Sequence, residues 1–112
     1  MLEIIRRKDA IEIPISGKLD MEIARKFESG FDEVIAKVPV SVIGINMANL
    51  KFMDSSGLSI LMKITSHASA ASKKVYFISI SPTIRSVMKV ARLDNILNFM
   101  TEEEFNAHYP IL

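Results

Sequence analysis

Val40-Ser41-Val42-Ile43-Gly44-Ile45-Asn46-Met47, followed by Ala48-Asn49-Leu50-Lys51-Phe52-Met53 and then Asp54-Ser55-Ser56-Gly57-Leu58, is the stretch from which the fold is read. Its first part is a near-continuous apolar run without clean alternation, as expected of a central strand covered on both faces. The mixed residues from Ala48 to Met53 predict a polar loop. Asp54, Ser55 and Ser56 are all good helix openers, and Leu58, Leu61, Ile64, Ala68 and Ala71 then recur along one side of a helix. Lys74 to Ile80, rich in β-branched and aromatic residues, returns to strand. A strand–helix–strand order favours parallel pairing through a right-handed crossover.

The flanks extend this unit. Residues 2–7 and 10–16 are two short candidate strands around Lys8-Asp9. In the second, Ile11, Ile13 and Ile15 alternate with Glu12, Pro14 and Ser16, which predicts one buried face. Pro14 lacks a donor for the ladder and argues for an edge or an irregular strand. Gly17-Lys18-Leu19-Asp20 is expected to end that strand, with Asp20 capping a helix whose apolar side is Ala24, Phe27, Phe31 and Val34. Ser81-Pro82 opens another helix, carrying Ile84, Val87, Met88 and Ala91. A short strand is expected within Leu93–Phe99, and Thr101-Glu102-Glu103-Glu104 reads as a capping box before a last helix bearing Phe105. The expectation is an α/β fold: a mixed sheet of four or five strands, helices packed mainly on one face, and one domain over residues 1–112.

Composition narrows the function. Fourteen Lys and Arg stand against thirteen Asp and Glu, a net charge of +1. The basic residues are scattered, with Arg6-Arg7-Lys8 and Lys73-Lys74 read as solvated strand ends, so no field for collecting nucleic acid or anionic lipid is expected. The absence of cysteine removes disulfides, thiolate zinc sites and cysteine nucleophiles. No apolar run reaches the ~18 residues of a membrane helix, and a cytoplasmic protein without membrane insertion is expected. Enzyme signatures are missing. The four glycines form no phosphate loop, and no cofactor is called for. His67 and His108 belong to no spaced ligand motif, and His67 is read as a solvated helix residue. Ser55, His67 and Asp20 make a triad only on paper, since the serine lacks a Gly-x-Ser-x-Gly setting.

What remains is the loop-to-helix segment. One cap residue suffices for a helix start, so of Asp54, Ser55 and Ser56 two are left to face solvent. Phosphate on a serine there would add about −1.5 to −2 charge.

Phe52-Met53-Asp54-Ser55-Ser56-Gly57-Leu58 resembles the signature of bacterial anti-sigma factor antagonists, the stand-alone STAS-domain proteins. Gly17-Lys18-Leu19-Asp20, Val42-Ile43-Gly44-Ile45-Asn46-Met47, Ile80-Ser81-Pro82-Thr83-Ile84 and Leu93-Asp94-Asn95-Ile96-Leu97 match further family blocks in order, over nearly the whole chain. The resemblance implies partner switching. An unphosphorylated antagonist sequesters an anti-sigma factor that is also a serine kinase, freeing a sigma factor; phosphorylation at Ser55 reverses this, and a PP2C-type phosphatase restores it. It implies a switch surface of Asp20, Met21, Asp54, Ser55, Ser56 and Gly57, in a protein that needs to be no more than a monomer. Asp20 and Asp54 can each cap a helix or present Ser55, and Ser56 is assigned to capping. Met21, Phe52 and Met53 could rim the switch, though Phe52 is expected to be buried. Ala71-Ser72-Lys73-Lys74 departs from a glycine common in relatives and predicts a local difference in that turn. The alternative is a STAS scaffold or transporter-associated subunit in which Ser55 is never phosphorylated.

Overall fold

The structure, a computed structural model, describes residues 2–112. Five strands form one mixed sheet in sequential order: β1 (Ile5–Arg7), β2 (Ala10–Leu19), β3 (Val42–Met53), β4 (Lys74–Ile78) and β5 (Phe99–Met100). β1 and β2 are antiparallel and the other three pairings parallel. Each parallel step crosses over through a helix: α1 (Met21–Lys37), α2 (Ser55–Ala70) and α3 (Pro82–Val90), while α4 (Glu102–His108) follows β5.

Side-chain alternation along the strands divides the interior in two. Ile11 and Ile13 of β2, Ile43, Ile45 and Met47 of β3, and Val75 and Phe77 of β4 face α1, α2 and α3. The helices answer with Phe27, Phe31 and Val34, with Ile60, Leu61, Ile64 and Ala68, and with Ile84 and Met88. On the opposite face α4 lays Phe105 against Ala10 and Ile78. Gly44 makes room for it: a Cβ there would stand 2.6 Å from Phe105 Cζ and 2.5 Å from Ile78 Cδ1.

Several expectations need correction. β3 does not stop at Met47; it runs to Met53 beside a β2 that continues to Leu19, and Leu50 and Met53 are buried. Lost alternation misled the reading, because register shifts between Pro14 and Ser16 and between Gly17 and Lys18 break the pattern without ending the pairing. Gly17, at φ +73°, takes a conformation that other residues enter only with strain. Pro14 lies in an interior strand, but beyond the end of β1. The strand expected from Leu93 is mostly turn, with only Phe99–Met100 paired, although Leu93 and Leu97 are buried. Leu58 is half-buried and Ala71 is exposed as the α2 C-cap, whereas the unremarked Ile60 is core. The turn at Ser72 has φ +61°, a glycine-favouring value carried here by serine.

The basic runs are not simply solvated. Arg7 is buried on the α4 side, where its Nε donates to Glu12 Oε1 at 3.0 Å and its NH1 to Asn106 Oδ1 at 2.8 Å and to the Tyr109 carbonyl at 3.0 Å. Asn46 Nδ2 donates to the other Glu12 oxygen at 2.7 Å. Lys73 Nζ donates to the Val38 and Val40 carbonyls, tying the turn after α2 to the one after α1.

Candidate functional site

The site is built by two parallel strands that end together. Leu19 of β2 is paired with Met53 of β3, so the next residues, Asp20 and Asp54, lie side by side, and each is the N-cap of its helix. Asp54 Oδ1 accepts from Ser56 N at 2.9 Å and Gly57 N at 3.1 Å. Asp20 Oδ1 accepts from Ile23 N at 3.1 Å, while its Oδ2 is 3.2 Å from Lys18 Nζ. The Ile23 N–H, then Lys18, hold the Asp20 carboxyl below its ordinary value of 3.8.

Because Asp54 does the capping, both serines are released from it. Ser56, assigned to that task from sequence, is instead a donor to the cap through its backbone N–H. Ser55 is the first residue of α2 and is exposed, and among the described residues its hydroxyl has no protein partner. Gly57 is buried under the site and presents nothing to solvent. A Cβ on it would stand 2.5 Å from the Leu19 carbonyl oxygen and 2.5 Å from Met53 Cγ. Its role is to let the start of α2 sit directly on the end of β2.

The apolar rim divides differently from expectation. Met21 and Phe52 are 56% and 54% exposed, whereas Met53 is core. Phe52 is therefore a surface side chain, three residues before the serine. On the other flank a groove of about 340 Å³ between α1 and α2 is lined by Met21, Arg25, Glu28, Ser55, Ser59 and Lys63, among others.

No Ser55–His67–Asp20 triad is assembled. Twelve residues along α2 put Ser55 and His67 about 18 Å apart. His67 is not merely solvated: its Nδ1 lies 2.7 Å from Asp32 Oδ1 and its Nε2 4.0 Å from Glu28 Oε2. Sequence reasoning missed this cluster. Its only linear trace is the Glu28–Asp32 pair four residues apart on α1, since His67 comes from another helix. Among the described residues, no helix is long and apolar enough to cross a membrane.

A model of the STAS domain matches residues 1–105. The chain belongs to the STAS domain family. This STAS protein is similar to the anti-sigma F factor antagonist of Lysinibacillus sphaericus, with 27% identity over 103 residues that make up 92% of this chain and 87% of that protein. The solved structure of the anti-sigma factor antagonist SpoIIAA in its unphosphorylated form matches with a TM-score of 0.77 at 27% identity, covering 96% of this chain and 93% of that one. The phosphorylated form of the Bacillus cell fate determinant SpoIIAA matches at 0.70 and 26%, covering 96% of each chain. The shared mixed sheet with its four helices is the STAS fold expected from the sequence blocks.

Proposed function

We propose that this STAS protein is an anti-sigma factor antagonist, a binding protein and not an enzyme, whose affinity for its partner is set by phosphorylation of Ser55. The observation that carries this reading is the division of labour at the α2 start. Asp54 alone satisfies the Ser56 and Gly57 N–H groups, which leaves the Ser55 hydroxyl exposed and open to a kinase. In this reading the unphosphorylated face, formed by Asp20, Met21, Ser55 and Ser56 with Phe52 added, docks an anti-sigma factor that is itself a serine kinase. Gly57 supports the face from beneath. Phosphate at Ser55 brings about two negative charges beside Asp20 and Asp54. The helix N-terminus stabilises that charge within the protein, so the fold need not change, while a partner surface matched to the neutral hydroxyl meets uncompensated charge. A PP2C-type phosphatase would reset the switch. The relatives' names, and the existence of SpoIIAA in both phosphorylated and unphosphorylated forms, support the same reading.

The test is intact-mass analysis after incubation with ATP and the kinases of the source cell. One added phosphate, lost in Ser55→Ala, is expected. Failure of the wild type to gain phosphate under any condition contradicts the switch and favours a scaffold role.

A further inference from the structure

Further along the α1–α2 seam lies a second cluster, of which only Glu28 reaches the groove that Ser55 also lines. Glu28 and Asp32 stand one turn apart on α1, and among the described residues neither lies within ion-pair distance of any lysine or arginine. Two carboxylates at this spacing repel each other, and the one group that addresses both is the His67 imidazole from α2. Arg25 and Lys63 line the groove that reaches Glu28, but neither closes on it.

Hydrogen-bond roles fix which ring nitrogen is available. Asp32 as a carboxylate can only accept, so at 2.7 Å Nδ1 is the donor. In the neutral ring Nε2 then keeps its lone pair, and it stands 4.0 Å from Glu28 Oε2. An ion bound tetrahedrally with bonds of about 2.1 Å separates its ligand atoms by about 3.4 Å. The gap closes with a small rotation of the Glu28 side chain, which is partly exposed and held by no other ion pair. A carboxylate on the far nitrogen of a ligating histidine fixes the ring's tautomer and raises its basicity, which is what Asp32 does here.

We propose that His67 Nε2 and Glu28 bind a late first-row divalent cation such as Zn²⁺, with Asp32 as the positioning residue behind the imidazole and water completing the shell. An imidazole ligand selects Zn²⁺ over Mg²⁺ or Ca²⁺, which take all-oxygen sites. The bound ion would pin α1 to α2 through residues that take no part in the helix start bearing Ser55, and it does not depend on the phosphorylation reading.

Isothermal titration of the purified chain with Zn²⁺ at neutral pH tests this, together with melting temperatures with and without EDTA. The expected result is one saturable Zn²⁺ per chain with a raised melting temperature that EDTA reverses, and no uptake of Mg²⁺. His67→Gln and Glu28→Gln each abolish uptake, Asp32→Asn weakens it roughly 10–100-fold, and His108→Gln leaves it unchanged. All three cluster side chains are partly exposed, so equal metal-free melting temperatures verify that the variants fold. Absence of saturable uptake by the wild type, or uptake that survives His67→Gln, overturns the proposal.

Discussion

On the α4 side of the sheet, Arg7 and Glu12 are 7% and 4% exposed, and the atoms of their charged groups are spent on each other, on Asn46, on Asn106 and on the Tyr109 carbonyl. At the carboxyl end of β2 and β3, Asp20 and Asp54 use one oxygen each on a helix start, and Ser55 beside them is left with nothing to hold. The two regions share strands and differ in what their polar groups are free to do. The buried Arg7–Glu12 pair is fully committed, and removing either partner strands the other away from water. An exposed cap is locally committed, so neighbouring groups can change charge with little cost to the fold. A regulatory site belongs in the second setting.

The contrast is broken most severely from the buried side. Arg7→Ala leaves Glu12 charged and enclosed, and a loss of about 3–5 kcal/mol is expected, read as a shifted denaturation midpoint. Arg7→Met combined with Glu12→Leu should recover most of it, because the desolvation of both charges is removed together; a double variant no more stable than Arg7→Ala would show that the pair contributes more than charge balance.

Gly57→Ala comes next. Its methyl meets the Leu19 backbone oxygen, which cannot turn aside as a side-chain tip would. A cost of about 1–3 kcal/mol is expected from overpacking, measured by urea unfolding, with slower phosphorylation as the α2 start shifts. Asp54→Ala, which removes the acceptor for two N–H groups, should cost about 1 kcal/mol in the same measurement.

Asp20 sharpens the comparison through pH. Its carboxyl titrates below 3.8 in the folded chain, so the unfolded state binds the proton first as pH falls. Its contribution is therefore complete above that value and is lost as pH drops through the lower folded one. Asp20→Asn, whose amide oxygen can still cap, should flatten this acid limb by lowering stability slightly in the neutral region, while the wild type and the variant converge at the acid extreme. Smallest of all, Ser55→Ala should shift stability by no more than about 0.5 kcal/mol.

The parts of this architecture legible in sequence were those with local causes. Asp20 as a cap, Ser81-Pro82 and the Thr101–Glu104 box follow from side chains bonding backbone three residues away. The strand–helix alternation likewise gave the mixed sheet. What escaped came from pairings distant in the chain. Leu19 opposite Met53 kept β2 and β3 strand through their irregular ends. Arg7 sank toward Glu12 and α4, and His67 met Asp32 across two helices. At the site, the choice among three cap-competent residues depended on backbone geometry, and Asp54 took the task assigned to Ser56. Phe52 was expected to be buried because it is large and apolar, yet single exposed apolar residues are common, and its outward position follows from β3 continuing past Met47.

The direct measurement is the affinity of the purified chain for the anti-sigma factor it is proposed to bind, by titration calorimetry, with Ser55 unmodified and then phosphorylated. A roughly tenfold or greater weakening, about 1.4 kcal/mol or more, with unchanged melting behaviour, is the predicted result. Equal affinity of the two forms would contradict the account.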